Sequence, residues 1–174
     1  MDIPVWLLRM ALLVYETAAP QTLLVSTVVR YAIWPQVLKG TGDTSDLAHP
    51  RTLLWHNANS VLALIEVALL GGLPVVVSHV AIAPMFGIAY IFFSWAMAPY
   101  WSPQDGPQFI YFFMDTTVDN HGHALAIMAL LTVLMVFYGL FAGASLVLEY
   151  LGSGILSHIV FVLVVSAGVT RFRD

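Results

Sequence analysis

The 174-residue chain contains no cysteine. That excludes disulfides, thiolate metal sites, iron–sulfur clusters and a cysteine nucleophile, although it does not fix a compartment. Charge is almost as scarce, at 9% of residues against roughly 25% in soluble domains. A chain so poor in charge cannot cover a water-facing surface. With 60% hydrophobic residues and a mean hydropathy of +0.87, its natural solvent is the bilayer. There is no basic patch to hold phosphates, which excludes nucleic acid as a partner. There is no N-x-[ST] sequon, internal repeat or low-complexity tract. A clean signal peptide is also missing, because Asp2 precedes the first apolar run and Arg9 interrupts it. Nothing divides the chain, so residues 1–174 are expected to form a single membrane domain.

What the sequence does have is apolar length. Five stretches approach the roughly 20 residues that a spanning helix needs. They predict spans over about 18–38, 53–73, 75–98, 124–149 and 154–170. The fold class is therefore all-α, a polytopic transmembrane helical bundle of four to five spans. Arg9, Glu16, Pro20 and Arg30 interrupt the first run. It is accordingly expected to hold an interfacial segment followed by a span with Pro20 in its first turn. Gly71, Gly72 and Pro74 end the second span and fold it tightly onto the third. Residues 150–153 make another hairpin. The stretch 39–51 has turn residues and no periodicity, so it is expected to be a loop. In 99–123 the run FIYFFM is too short to span and should lie in the interface or re-enter.

If the spans alternate, the loop 39–51, the stretch 99–123 and the C-terminus share one side. Lys39, Arg51, Arg171 and Arg173 fall there, and by the positive-inside rule it is the cytoplasmic side. Trp34, Trp55, Trp95 and Trp101 mark the same boundary, as an aromatic belt should. The organelle stays open.

The segment WHNANSVLALIE, residues 55–66, carries polar groups inside an apolar span. At about 100° per residue, His56, Asn59, Ser60, Ala63 and Glu66 share roughly a third of the circumference. The stripe is expected to face the bundle, running from His56 at the boundary to Glu66 at mid-depth. An intramembrane ionisable residue is costly and by default functional. His56 would act as a general base, with Asn59, Ser60 and Glu66 as binding groups. The competing expectation is that these residues hold helices together, as Asn, Ser and His often do.

His79 shares a helical face with Tyr90 and approximately with Ser94, making a second polar stripe and two further candidate binding residues. A haem would need paired histidines at matching depth, such as His56 with His123 or His79 with His158. No spacing singles haem out, and the HGH of residues 121–123 is too short a signal for a metal. No cofactor or metal is expected.

Three stretches in this order, WHNANSVLALIE (55–66), HVAIAPMFGIAYIFFSW (79–95) and GPQFIYFFMDT (106–116), resemble the androgen-induced protein family and its rolling-stone-like relatives. Tyr90 and Phe93 match that family's aromatic helix end. Gly106, Phe109, Tyr111, Phe113, Met114 and Asp115 match its following segment, with one extra residue after Gly106 and Phe112 in place of a proline. The resemblance covers about residues 18–115. It implies a multi-pass membrane hydrolase that cleaves fatty acid esters of hydroxy fatty acids with a threonine nucleophile and a histidine. His56, ten residues before Glu66, matches the histidine. The family's threonine lies on a helix upstream of the region matched by 18–38, so the resemblance implies an N-terminally shortened relative, with Met1 an open question as the native start. The expected function is an integral membrane protein resembling lipid-ester hydrolases, with a His-centred polar pocket and membrane lipids as partners. The alternative is a non-catalytic structural subunit of a larger membrane complex, with other membrane subunits as partners.

Overall fold

The computed structural model describes residues 3–73, 75–101, 114 and 121–173. The chain is all-α, with no strand among the described residues. They fall into two compact units, one from Met1–Val77 with Phe137–Asp174, the other Ser78–Val136. Three helices are long and apolar enough to cross a membrane: Val5–Gly40, Val77–Tyr100 and Gly122–Leu151.

In the first unit, α1 (Val5–Val28), a π-turn (Val29–Ile33) and α2 (Trp34–Gly40) make one continuous helix of 36 residues. The expected break at Pro20 is absent. Proline removes one i→i−4 bond, yet Ala19, Pro20, Leu23 and Leu24 are all buried, and that packing carries the helix through. The helix yields further on. Pro35, in the first turn of α2, cannot donate to a carbonyl behind it, and the wider π-turn lies immediately upstream. At about 1.5 Å per residue the whole helix is roughly 54 Å long, well beyond the ~30 Å hydrocarbon core.

The stretch 39–51 is more ordered than its composition predicts. It contains α3 (Ser45–Ala48) and the start of α4 (Pro50–Leu53). Asp43 accepts the Ser45 N–H at 2.9 Å, which holds its carboxyl below the usual carboxylate range. The His49 ring accepts the Arg51 N–H at 3.2 Å, and Pro50 opens α4. From there α4, a second π-turn (Leu54–Ala58) and α5 (Asn59–Leu69) run on without interruption. The second span therefore begins and ends earlier than expected. Gly71, at φ +69°, terminates it. This helix is not one of the three that are long and apolar enough to span.

The third span was expected to begin at residue 75, but residues 75–76 are not helical. The Val76 N–H donates to Glu16 Oε1 at 3.0 Å, and the Val76 carbonyl accepts from the Tyr138 hydroxyl at 2.9 Å. Both backbone groups are thus committed to side chains before α6 can start. The first unit closes with the end of α7 (His121–Leu151), a turn at Gly152 with φ +68°, and α8 (Ile155–Val169). At 15 residues α8 is about 22 Å long, short of a full span.

The second unit holds α6 (Ile82–Trp101), preceded by a 3₁₀ turn at Val77–His79, and the beginning of α7. Gly87 sets the distance between these helices: a Cβ there would lie 2.6 Å from Leu134 Cδ1 and 2.7 Å from Leu131 Cδ2. Trp95 donates to the Met114 carbonyl at 2.9 Å and stacks on the His123 ring, with centroids 6.4 Å apart. The expected interfacial run FIYFFM and the GPQFIYFFMDT resemblance lie outside the described residues, Met114 excepted.

Candidate functional site

The polar groups of WHNANS collect where α1 meets the second π-turn and α5. A π-turn leaves a carbonyl without its usual helical donor, and such turns are frequent at functional sites. The His56 carbonyl is taken by the Ser26 hydroxyl of α1. Ser60 Oγ lies 2.6 Å from the Thr22 carbonyl and 2.5 Å from Ser26 Oγ. Two hydroxyl protons thus serve three contacts. Both serines are fully buried, which lets the two helix backbones approach closely.

The inward face of α5 differs from the expected stripe. Asn57, Ser60, Ala63, Leu64 and Ala68 are buried, whereas Asn59, Leu62, Glu66 and Leu69 are exposed. Packing of small side chains, rather than shared polarity, chose the face, so it is rotated by about a quarter turn. Asn59 donates to its own helix, to the Trp55 carbonyl at 3.0 Å. Glu66 sits in the last turn of α5, and its carbonyl accepts from Leu70 and Gly72. Its carboxylate has no hydrogen bond or ion pair among the described residues.

His56 is half-buried. Its Nδ1 and the hydroxyl of Thr27, the residue after Ser26, are buried without a hydrogen-bond partner among the described residues. His79 is exposed on the 3₁₀ turn, and Tyr90 is half-buried and stacked on Phe86 at 6.4 Å. Because that turn interrupts the helix before α6, the two do not share one continuous helical phase. Among the described residues no group of three or more His, Asp or Glu could hold a metal ion.

Two clusters escaped the sequence reading. Asn57 Nδ2 donates to the Arg171 carbonyl at 2.6 Å. Arg30 Nη1 donates to the carbonyls of Ala167 and Thr170, and the Tyr31 hydroxyl reaches the Gly168 carbonyl at 2.7 Å. The N–H and hydroxyl of Thr170 both serve the Ser166 carbonyl. Together these donors satisfy carbonyls that the end of α8 leaves open, with a cation at the negative pole of the helix. The Arg171 guanidinium lies 5.1 Å from the centroid of the buried Trp34 ring. The second cluster is Glu16, 1% exposed, which accepts from Val76 N–H and faces the Tyr138 hydroxyl at 3.3 Å. Tyr138 has one proton, and the 2.9 Å contact to the Val76 carbonyl is the better acceptor. An ionisable residue inside an apolar run was the available signal for Glu16.

This arrangement can hold helices in register. It also keeps one imidazole nitrogen and one hydroxyl free of other bonds. No family model, curated protein or solved structure matches the chain.

Proposed function

We propose that the chain is an integral membrane protein that serves as a non-catalytic, packed helical subunit of a larger membrane assembly. The exposed Glu66 carboxylate carries this reading. It lies on an α5 face that otherwise presents Leu62 and Leu69. A charged group facing lipid costs roughly 3 kcal/mol at mid-depth, and less near a helix end. A polar partner on another chain removes that cost. The commitment of Asn57, Asn59 and Ser60 to backbone carbonyls supports the same reading, since it leaves them in structural roles. On a native gel of the mildly solubilised membrane, the chain should migrate in a species far above its own 19.1 kDa. Glu66→Leu should shift it toward the free chain. Migration of the parent at the mass of the free chain would rule the assembly out. The positive-inside rule supports a cytoplasmic side for the loop 39–51 and the C-terminus.

A second reading rests on the unpartnered Nδ1 of His56, in the second π-turn, and the unpartnered hydroxyl of Thr27 on α1. A buried polar atom without a partner needs an explanation. The resemblance to the androgen-induced family supplies one, with His56 as the base that takes a hydroxyl proton while the oxygen attacks a lipid ester. A hydrophobic fluorophosphonate probe would then label a Ser or Thr in the parent, and His56→Ala would abolish labelling. Absence of labelling in the parent, with ester hydrolysis unchanged by His56→Ala, eliminates the enzyme.

A further inference from the structure

At the other end of α5, within the first unit, a cavity of about 300 Å³ is lined by Val67, Gly72, Ser145, Leu148, Glu149, Gly152 and His158. His158, on α8, places Nδ1 2.6 Å from the Ala68 carbonyl. A carbonyl only accepts, so Nδ1 carries a proton, and in that tautomer Nε2 presents a lone pair. As a cap for the end of α5, His158 needs nothing more than Nδ1. Yet Nε2 is buried without a partner among the described residues, and so is Ser145 Oγ on the facing helix α7. Neither atom is within hydrogen-bond reach of the other. The third polar lining side chain is Glu149, one turn beyond Ser145 on α7.

Apart from the Ser145 hydroxyl, these groups offer acceptors only. The Gly72 N–H is already given to the Glu66 carbonyl at 2.9 Å, and no Lys or Arg lines the cavity. An anion would find one hydroxyl donor and no cation to hold it. A group that supplies several N–H donors and a positive charge satisfies Nε2, Oγ and the Glu149 carboxylate together. The volume is at the lower limit of ligand sites and suits a small head rather than a long chain. The cavity opens beside the Gly152 turn, where two apolar helices end, the level of lipid headgroups in a membrane-embedded chain.

We propose that this cavity binds a primary ammonium group, the head of an ethanolamine lipid or a soluble amine. This goes beyond the assembly role and is independent of it. The test uses the full chain in nanodiscs made of equal parts of phosphatidylethanolamine and phosphatidylcholine. Lipid retained through purification is counted by native mass spectrometry, and free ethanolamine is titrated in parallel. The choline head carries the same charge but no N–H, so the ethanolamine lipid should be retained in preference. Glu149→Gln, an exposed position that leaves the fold unchanged, should weaken retention about tenfold, and Ser145→Ala should weaken it in the same direction. Displacement by free ethanolamine identifies a soluble amine as the source, and persistence in its presence identifies the lipid. Equal retention of the two lipids with no binding of free ethanolamine overturns the proposal. So does retention unchanged in both variants, which His158→Ala alone, by removing the α5 cap, would not decide.

Discussion

Replacing Glu16 with alanine removes the carboxylate that receives the Val76 N–H and faces Tyr138 in the buried part of the first unit. A buried donor left without an acceptor costs about 1–3 kcal/mol. Thermal unfolding in detergent should therefore show Glu16→Ala destabilised by that amount. Glu16→Gln keeps an acceptor oxygen and should lose less. Equal melting of parent and Glu16→Ala would show that the cluster carries no stability. Arg30→Met should also destabilise, by roughly 1–3 kcal/mol, because two carbonyls at the end of α8 lose their charged donor. If Arg30→Met unfolds with the parent, the capping account is wrong. Asp43 gives a pH test outside the apolar helices. Its folded value is lowered by the Ser45 N–H, so its contribution is present above the unfolded value of about 3.9 and is lost as pH falls through the lower folded one. An NMR titration midpoint at or above that of an unstructured peptide would remove this contribution. At this scale the sequence revealed the kind of residue but not its partners. Glu16 and Glu66 are both acids in apolar runs. Only the return of Val76 and Tyr138, 60 and 122 positions away, makes Glu16 the buried one.

Among the elements, long apolar periodicity was legible, whereas helix continuity and start points were not. Proline marks a local loss of one hydrogen bond. Whether the helix stops there depends on packing, and around Pro20 the packing is dense. The start of α6 could not be read either, because side chains from distant positions take the Val76 backbone groups. The stripe on α5 was read by polarity, but the buried face follows the small residues Ser60, Ala63 and Ala68. Gly87 tests close helix packing in the second unit. Gly87→Ala places a methyl against the ends of Leu131 and Leu134, which can shift. Gly87→Val cannot be absorbed in that way, and overpacking of this kind costs about 1–3 kcal/mol. Valine should therefore lower the melting temperature more than alanine. The reverse order, or no change in either variant, would mean that α6 and α7 are not held at this distance.

For the whole molecule, scarcity of charge identified the bilayer as the natural solvent, and three of the helices have the length and apolarity to cross it. The number of spans was not legible. The apolar runs at 53–73 and 154–170 read as spans, yet α8 has only 15 residues and the helix that ends in α5 is not among the three long and apolar enough to cross. The two π-turns and the end of α8 bring Arg30, Tyr31, Asn57 and Arg171 together, whereas the sequence marked only Arg30, as an interruption, and Arg171, as a boundary charge. The assembly reading places a polar partner for Glu66 on another chain. A photoreactive amino acid in place of Glu66, activated in the native membrane, measures this directly. The assembly reading predicts a discrete protein-sized adduct at this position, and only lipid adducts from the same substitution at Met85, an exposed apolar site on α6. Lipid adducts alone at position 66 would contradict it.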